Sequence, residues 1–213
     1  MTTTAQLYAA HPDPERFTTA YFSHLSECLA TIDPGAVASV IKELAAARAA
    51  GERVFIAGNG GSAATSSHMV NDLATDVARK ARLTVPFRVS ALTDNNALMT
   101  ALANDIGYEN VFVAQLQAWF QPGDRLLAIS ASGNSPNLLV AARWVREHGG
   151  RVISFVGFDG GELQGLSDVC VHVRTAKGEY GVVEDAHLAL NHLISNWLIC
   201  SLSAENQGDA AGR

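Results

Sequence analysis

Cysteine is scarce in this sequence and forms no pattern. The three cysteines, Cys28, Cys170 and Cys200, stand far apart, without the short spacings of a metal site or a disulfide framework. Their neighbours are apolar, so we predict three buried thiols in a reducing compartment. No stretch reaches the roughly 18 apolar residues of a membrane span, and the N-terminal segment lacks a charged stretch followed by an apolar run. These absences predict a cytoplasmic protein that does not associate with a membrane.

Positive charge is scarce as well. The chain has 15 Lys and Arg residues against 21 Asp and Glu, a formal net charge of −6. A nucleic-acid-binding protein needs a basic surface, so this balance argues against a nucleic-acid partner. Neither a Walker pattern nor a GxGxxG fingerprint is present, so we expect no nucleotide cofactor. With 48% hydrophobic residues over 213 positions, the chain can bury the core of a single domain.

Two strand–loop–helix segments, residues 53–69 and 125–139, are the most informative feature that is present. The first turn of a helix leaves backbone N–H groups unpaired and favours an anion in front of it. Ser130, Ser132, Asn134 and Ser135 add short polar donors in the second loop, which predicts a phosphate cradle. The glycine-rich loop 58–62 lets the backbone approach a polyol. Each loop alone is equally consistent with a tight structural turn, but a matched pair at strand ends favours a binding site.

The order of apolar runs and helical patterns predicts the fold class. We expect strands over residues 54–57, 87–92, 126–129, 152–156 and 169–173, separated by helices. Continuous apolar strands are typical of a parallel sheet that is covered on both faces. The prediction is a single α/β domain with a doubly wound five-stranded parallel sheet. An N-terminal helical hairpin over residues 14–50 precedes the sheet, and a long C-terminal helix over residues 183–202 follows it.

Five motifs of the chain resemble the sugar isomerase (SIS) domain family. They are GNGGS at 58–62, AND at 103–105, SASGNS at 130–135, GxDGGEL at 157–163, and the His-bearing last helix. Within that family the chain is most similar to the phosphoheptose isomerases. The resemblance implies a SIS domain over residues 34–203, an N-terminal segment 1–33 used in oligomerisation, and a flexible tail at 204–213. It also implies a homotetramer with sites between subunits.

The implied reaction converts sedoheptulose 7-phosphate into a D-glycero-heptose 7-phosphate through an enediol, the first step towards a nucleotide-activated heptose. Such a reaction needs a base at carbon and an acid at oxygen. On the resemblance, Asp72 takes the position of a family glutamate and serves as the base, with His192 as the acid. Asp72 is one methylene shorter than glutamate. Glu184 replaces a family glutamine and is the alternative base.

Some family members bind zinc, and the resemblance transfers that site to His68, Asp72, Glu184 and His192. Two imidazoles and two carboxylates are suitable zinc ligands, and no organic cofactor is implied. Eight residues of helix separate Glu184 from His192 by about 12 Å, so joint ligation requires Glu184 to precede the regular helix. Pairing of Glu184 with His187 is the local alternative.

The resemblance also assigns residues to the phosphorylated sugar. They are Asn59, Gly60, Gly61, Ser62, Asn104, Asp105, Ser130, Ala131, Ser132, Asn134 and Ser135. A different class of function uses the same cradle: a non-catalytic SIS module that binds a phosphosugar or a protein and regulates another process. Such a module has no need for ionisable groups at the acid and base positions. Asp72 and His192 therefore favour the enzyme.

Overall fold

The computed structural model describes residues 1–211 and contains one five-stranded sheet in the order β2-β1-β3-β4-β5. The strands are β1 Arg53–Gly58, β2 Arg88–Ala91, β3 Arg125–Ser130, β4 Arg151–Val156 and β5 Val169–His172. All four ladders are parallel, which confirms the predicted sheet. Because β1 and β3 are neighbours and their connections leave in opposite directions, the crevice of the fold opens at their carboxyl ends.

Helices connect and cover the strands. They are α1 Thr4–Ala10, α2 Pro14–Ala30, α3 Pro34–Ala50, α4 Gly61–Asn71, α5 Ala78–Lys80, α6 Asn96–Ile106, α7 Val111–Trp119, α8 Pro136–Glu147, α9 Gly161–Leu166 and α10 Tyr180–Ala211. The α2–α3 hairpin has the predicted bounds because each helix starts with a proline after an aspartate. Asp13 and Asp33 accept hydrogen bonds from the backbone of the first turn, and the prolines occupy positions that need no N–H partner.

Alternate residues of the strands build two hydrophobic layers. Ile56 and Leu127 pack on one face of the sheet with α3, α4 and α10, whereas Phe55 and Leu126 pack on the other face with α7 and α8. All four side chains are fully or almost fully buried. Helices on both faces confirm the doubly wound architecture and place the starts of α4 and α8 at the same edge of the sheet.

A π-helical turn interrupts the first helix of the predicted site. Residues Asp72–Val77 form this turn between α4 and α5, so the chain is helical from residue 61 to residue 80. A helix was expected between the first two strands and is confirmed, but the change in its hydrogen bonding was not expected. Turns of this kind are rare in proteins, and those that occur often lie at functional sites. Here the turn begins at Asp72, the predicted base.

Several local expectations need correction. The short helices α1 and α9 were not expected; α1 buries no side chain and is held by a capping box of Thr3 and Gln6, and α9 starts at a glycine-rich turn. Cys28 is buried as predicted, but Cys170 is half-buried and Cys200 is exposed, because Cys200 lies on an outward face of α10.

The last helix, α10, is longer than the sequence pattern predicts. It includes residues 204–211 of the predicted flexible tail, whereas residues 212 and 213 lie outside the described residues. The flexibility of the tail stays a prediction. Among the described residues, no helix combines the length and the apolar character that crossing a membrane requires.

Candidate active site

The two predicted loops line one cavity at the carboxyl ends of β1 and β3. The cavity has a volume of about 130 Å³. Its lining residues are Asn59, Ser62, Ile129, Ser130, Ala131, Ser132, Ser135, Tyr180 and Glu184. We call this space the serine cavity. It brings together seven of the predicted site residues, and its lining contains no lysine, arginine or histidine.

The loop between β3 and α8 is shaped by hydrogen bonds within itself. Ser130 Oγ accepts from the Gly133 N–H at 3.1 Å and lies 3.4 Å from Ser135 Oγ. Gly133 has φ 62° and lies so close to the Gly160 backbone that a Cβ would overlap it. Ser135 is the N-cap of α8, and its side chain forms no capping hydrogen bond. The N–H groups of Leu138 and Leu139 are already paired with Ser135 and Asn137, and Pro136 has no N–H. The Ser135 hydroxyl and the Asn137 N–H are therefore the groups of this helix start that are available to an anion.

Asn134, like Gly133, belongs to this loop but does not line the cavity. Its Nδ2 donates to the Ser132 carbonyl at 3.0 Å, and its Oδ1 accepts from the Glu162 N–H at 3.0 Å. The side chain thus connects the loop to α9. Each end of the amide makes one hydrogen bond within the protein, and contact of Asn134 with the substrate stays a prediction.

The glycine loop after β1 shapes the opposite wall of the serine cavity. Gly60 has φ 56°, which favours glycine, and a Cβ at Gly61 would overlap the Glu184 carboxylate. Asn59 forms a reciprocal amide pair with Asn137, with both N–O distances at 3.0 Å, and accepts a hydrogen bond from the Tyr108 hydroxyl at 2.8 Å. Asn59 is therefore held in one orientation at the rim.

Asn104 and Asp105 lie apart from this cavity. Both are exposed near the C-terminal end of α6, and Asn104 Nδ2 donates to Asp105 Oδ1 at 2.9 Å. The fold of one chain does not bring them to the serine cavity. Their assignment to the sugar stays a prediction.

A second cavity, of about 340 Å³, holds the predicted acid and base. Its polar lining comes from α4, the π-helical turn, α5 and α10. The lining residues are His68, Asn71, Asp72, Asp76, Lys80, His192, Ser195, Asn196 and Ile199. We call this space the histidine cavity. It shares no lining residue with the serine cavity.

Asp72 and two histidines form a compact cluster in the histidine cavity. His68 Nε2 lies 3.5 Å from Asp72 Oδ2 and 3.3 Å from His192 Nε2. His192 Nε2 lies 4.0 Å from the same carboxylate oxygen. Asp72 is buried and accepts further hydrogen bonds from Asn191 at 2.8 Å and from Asn71 at 3.2 Å. The predicted base and acid are therefore neighbours, although 120 positions separate them along the chain.

The cluster offers three ligand atoms to a metal ion. One atom from each of His68, Asp72 and His192 lies within 4.8 Å of the others. Two imidazoles, one carboxylate and an open fourth position are the donor set of a catalytic zinc site, so these residues fit zinc. One chain brings three of the four predicted ligands together, whereas Glu184 lines the serine cavity, so its part in the metal set stays a prediction. Glu184 belongs to α10, which begins at Tyr180, and so does not precede the regular helix as joint ligation with His192 requires.

His187 lies in the core and not in either cavity. It is completely buried, its ring centroid is 5.9 Å from that of Phe155, and neither ring nitrogen has a side-chain partner. Burial lowers the pKa of His187 to about 4, and the Val156 backbone opposes this effect only in part. The alternative pairing of Glu184 with His187 is therefore not formed. His187 is neutral at physiological pH.

Four residues that shape the two cavities were not predicted as site residues. They are Tyr108, Asn137, Tyr180 and Asn191. Two of them carried a usable signal: Asn137 follows Pro136 at the start of α8, and Asn191 is an amide at an apolar position of a helix. The two tyrosines are more than half exposed and come from other segments: Tyr180 lines the serine cavity, and Tyr108 donates to Asn59 at its rim. Spacing in the sequence does not reveal either contact.

Comparisons with known proteins agree with this geometry. The family model for the SIS domain matches residues 20–157. The phosphoheptose isomerase of Chlorobium phaeobacteroides is 37% identical over 177 residues, which cover 82% of this chain and 76% of that protein.

Two solved structures extend the likeness to the fold. A phosphoheptose isomerase from Francisella tularensis superposes with a TM-score of 0.77 at 25% identity, covering 89% of this chain and 99% of that one. The phosphoheptose isomerase from Neisseria gonorrhoeae gives a TM-score of 0.78 at 24% identity, covering 87% and 98%, and so shares the fold. This chain belongs to the SIS domain family and, within that family, to the phosphoheptose isomerases.

Proposed function

We propose that the protein is an aldose–ketose isomerase that converts sedoheptulose 7-phosphate into a D-glycero-heptose 7-phosphate, a first step towards nucleotide-activated heptose. The observation that carries the proposal is the coexistence of a hydroxyl-lined anion site with a buried carboxylate beside two imidazoles. A module that only binds phosphosugars needs the first feature and has no use for the second.

The serine cavity binds the phosphate. Ser130, Ser132 and Ser135 donate from their hydroxyls, and the first turn of α8 adds the Asn137 N–H and a partial positive charge. No side chain of the lining carries a positive charge, and Glu184 adds a carboxylate. The cradle therefore holds the dianion with neutral donors and the helix terminus.

The histidine cavity performs the proton transfers. Asp72 removes a proton from C1 of the ketose and returns it to C2, and His192 moves the hydroxyl proton from O1 to O2 through the enediol. The ketose loses and regains the same number of protons, so no external oxidant or reductant is needed. If zinc is bound, His68, Asp72 and His192 hold it, and it supplies Lewis-acid polarisation of the substrate oxygens. Glu184 is then the second carboxylate available for proton transfer.

The complete site forms between subunits of a homotetramer. The two cavities have no residue in common, and eight residues of α10 separate Glu184 from His192 by about 12 Å. An apolar groove of about 450 Å³ runs between α2, α3 and α10, where Leu193 and Trp197 are 52% and 51% exposed. An apolar surface of this kind is typical of a subunit interface. The second subunit places its histidine cavity against the serine cavity of the first.

Proton exchange tests the reaction directly. The purified protein is incubated with sedoheptulose 7-phosphate in deuterated water and followed by NMR, with and without added zinc. Incorporation of deuterium together with an aldose signal supports the isomerase. If the sugar phosphate binds but no deuterium is incorporated with or without zinc, the protein is a non-catalytic binding module and the isomerase proposal is wrong.

Subunit complementation tests the shared site. The variant Asp72→Asn lacks the base, and the triple variant Ser130→Ala, Ser132→Ala, Ser135→Ala lacks the cradle hydroxyls. Sites shared between subunits regain part of the activity when the two inactive variants are co-expressed, because some sites combine an intact cradle with an intact base. Sites contained within one chain regain none. Size measurement of each sample shows whether mixed oligomers have formed.

The place of the protein in the cell follows from its thiols. Cys28, Cys170 and Cys200 are all free. Free cysteines are the ordinary state in a reducing compartment, and sugar phosphates are metabolites of the cytoplasm. Localisation to the cytoplasm is therefore part of the proposal, and fractionation of cells that express the tagged protein tests it.

A further inference from the structure

Asn191 is a buried amide whose presence stability does not explain. It has no exposed surface, and it lies on α10 next to His192. Its Nδ2 donates to Asp72 Oδ2 at 2.8 Å, whereas its Oδ1 is buried without a hydrogen-bond partner among the described residues. A buried polar atom without a partner destabilises the folded state. An apolar residue at this position would avoid that cost.

The hydrogen bond from Asn191 reaches the carboxylate oxygen that faces both histidines. Asp72 Oδ2 is the atom that lies 3.5 Å from His68 Nε2 and 4.0 Å from His192 Nε2. Asn71 donates to the other oxygen, Oδ1, at 3.2 Å. The two amides together fix the rotation of the carboxylate. The hydrogen bond from Asn191 is the shorter of the two, and Asn191 is the more buried donor.

We infer that Asn191 is a positioning residue for Asp72, an inference that rests on the proposed isomerase function. Asn191 holds the short aspartate carboxylate against the His68–His192 pair. It also fills the space into which a longer acid would extend. The side chain at position 191 and the length of the acid at position 72 are thus matched to each other.

A longer acid at position 72 makes this matching measurable. Asp72→Glu advances the carboxylate by up to about 1.5 Å, the length of one carbon–carbon bond. Asn191 Nδ2 is only 2.8 Å from the present carboxylate, and its fully buried side chain cannot withdraw into solvent. Asp72→Glu therefore displaces the acid from its place beside the imidazoles. Asn191→Ala opens the space that the longer side chain needs.

The first experiment compares Asn191→Leu with Asn206→Leu. Asn206 is a matched control on α10, because its amide also donates one hydrogen bond, to the Ala81 carbonyl at 2.7 Å, and it lies outside both cavities. We expect Asn191→Leu to lower kcat by about 10–100-fold, the usual effect of losing a supporting partner. KM stays unchanged. The melting temperature changes little, because removal of the unpaired Oδ1 offsets the loss of the hydrogen bond to Asp72. Asn206→Leu keeps kcat.

The outcomes separate positioning from a structural role. An Asn191→Leu variant with the kcat of the wild type overturns the inference, as does a fall in activity that follows a fall in the folded fraction. The double variant Asp72→Glu, Asn191→Ala is expected to be more active than Asp72→Glu alone, and equal or lower activity contradicts the matching even if Asn191→Leu fails to fold. If the wild-type protein has no isomerase activity, both the proposed function and this inference are wrong. If the wild type is active and Asn191→Leu has the same kcat, only the inference is wrong.

Discussion

The serine cavity and the histidine cavity differ in how far along the chain their residues come from. Five of the nine residues that line the serine cavity come from one short segment, residues 129–135, where β3 ends and α8 is about to begin. The histidine cavity joins His68 and Asp72 to His192 across the packed helices α4 and α10. Binding is thus built locally, and the proton-transfer chemistry is built by tertiary packing. Each can be disturbed without the other.

The largest expected effect is the loss of the base. Asp72→Asn keeps the shape and the burial of the side chain but removes its basicity, so kcat falls by about 10²–10⁴-fold, the range for general acid–base catalysis. KM changes little, because the serine cavity is untouched. Steady-state kinetics measures both constants. Asp185→Asn on α10, outside both cavities, is the control and keeps kcat.

The next effect is the loss of the cradle hydroxyls. Changing Ser130, Ser132 and Ser135 to Ala raises KM by about 100-fold or more, since each hydrogen bond to a charged group contributes about 1.5–3 kcal/mol. Calorimetry with the sugar phosphate measures the same loss without turnover. Ser39→Ala, an exposed hydroxyl on α3, serves as the control. If the triple variant binds the sugar phosphate with unchanged affinity, the phosphate does not bind in the serine cavity.

A third effect concerns His187, which lies on α10 between Glu184 and His192. Its folded pKa of about 4 is below the ordinary 6.5, so the unfolded chain binds the extra proton between these values and stability falls as the pH falls. The free energy of unfolding drops by about 1.4 kcal/mol per pH unit from this group, or about 3 kcal/mol across the window. His187→Leu removes this part of the acid sensitivity. Denaturant titrations of both proteins at pH 7 and pH 4.5 measure the difference.

The smallest effect belongs to Glu184, the acid inside the serine cavity. Its carboxylate repels a bound phosphate, so Glu184→Gln lowers KM by about 3–10-fold at low salt, and the gain shrinks as the salt concentration rises. The same variant decides between the two candidate bases. A kcat that survives Glu184→Gln leaves Asp72 as the base, and a kcat that is lost transfers the role to Glu184.

The sequence predicts structure that depends on neighbouring residues better than structure that depends on contacts between distant residues. The strands, the α2–α3 hairpin and the serine loop depend on neighbouring residues, and their patterns predict them well. Asn134 shows the limit even there, because its side chain accepts a hydrogen bond from Glu162 of α9, a helix that was not predicted.

The histidine cavity depends on packing that spacing alone does not reveal. The i,i+4 relation places His68 and Asp72 on one face, but only the fold brings His192 and Asn191 to them. The π-helical turn at Asp72 has no signature in the residue pattern. The same holds for the metal set: the family resemblance implies four ligands, and the fold of one chain brings three of them, His68, Asp72 and His192, together.

The absence of cationic side chains from the lining of the serine cavity has a consequence for turnover. Ketose and aldose carry the same terminal phosphate. A cradle made of hydroxyls and a helix terminus therefore binds both with equal affinity and cannot favour one of them. A pair of arginines would hold the product as tightly as the substrate and slow its departure. A cation-free cradle instead lets a reversible catalyst exchange its ligand quickly, leaving the direction of net flux to the concentrations of the two sugars.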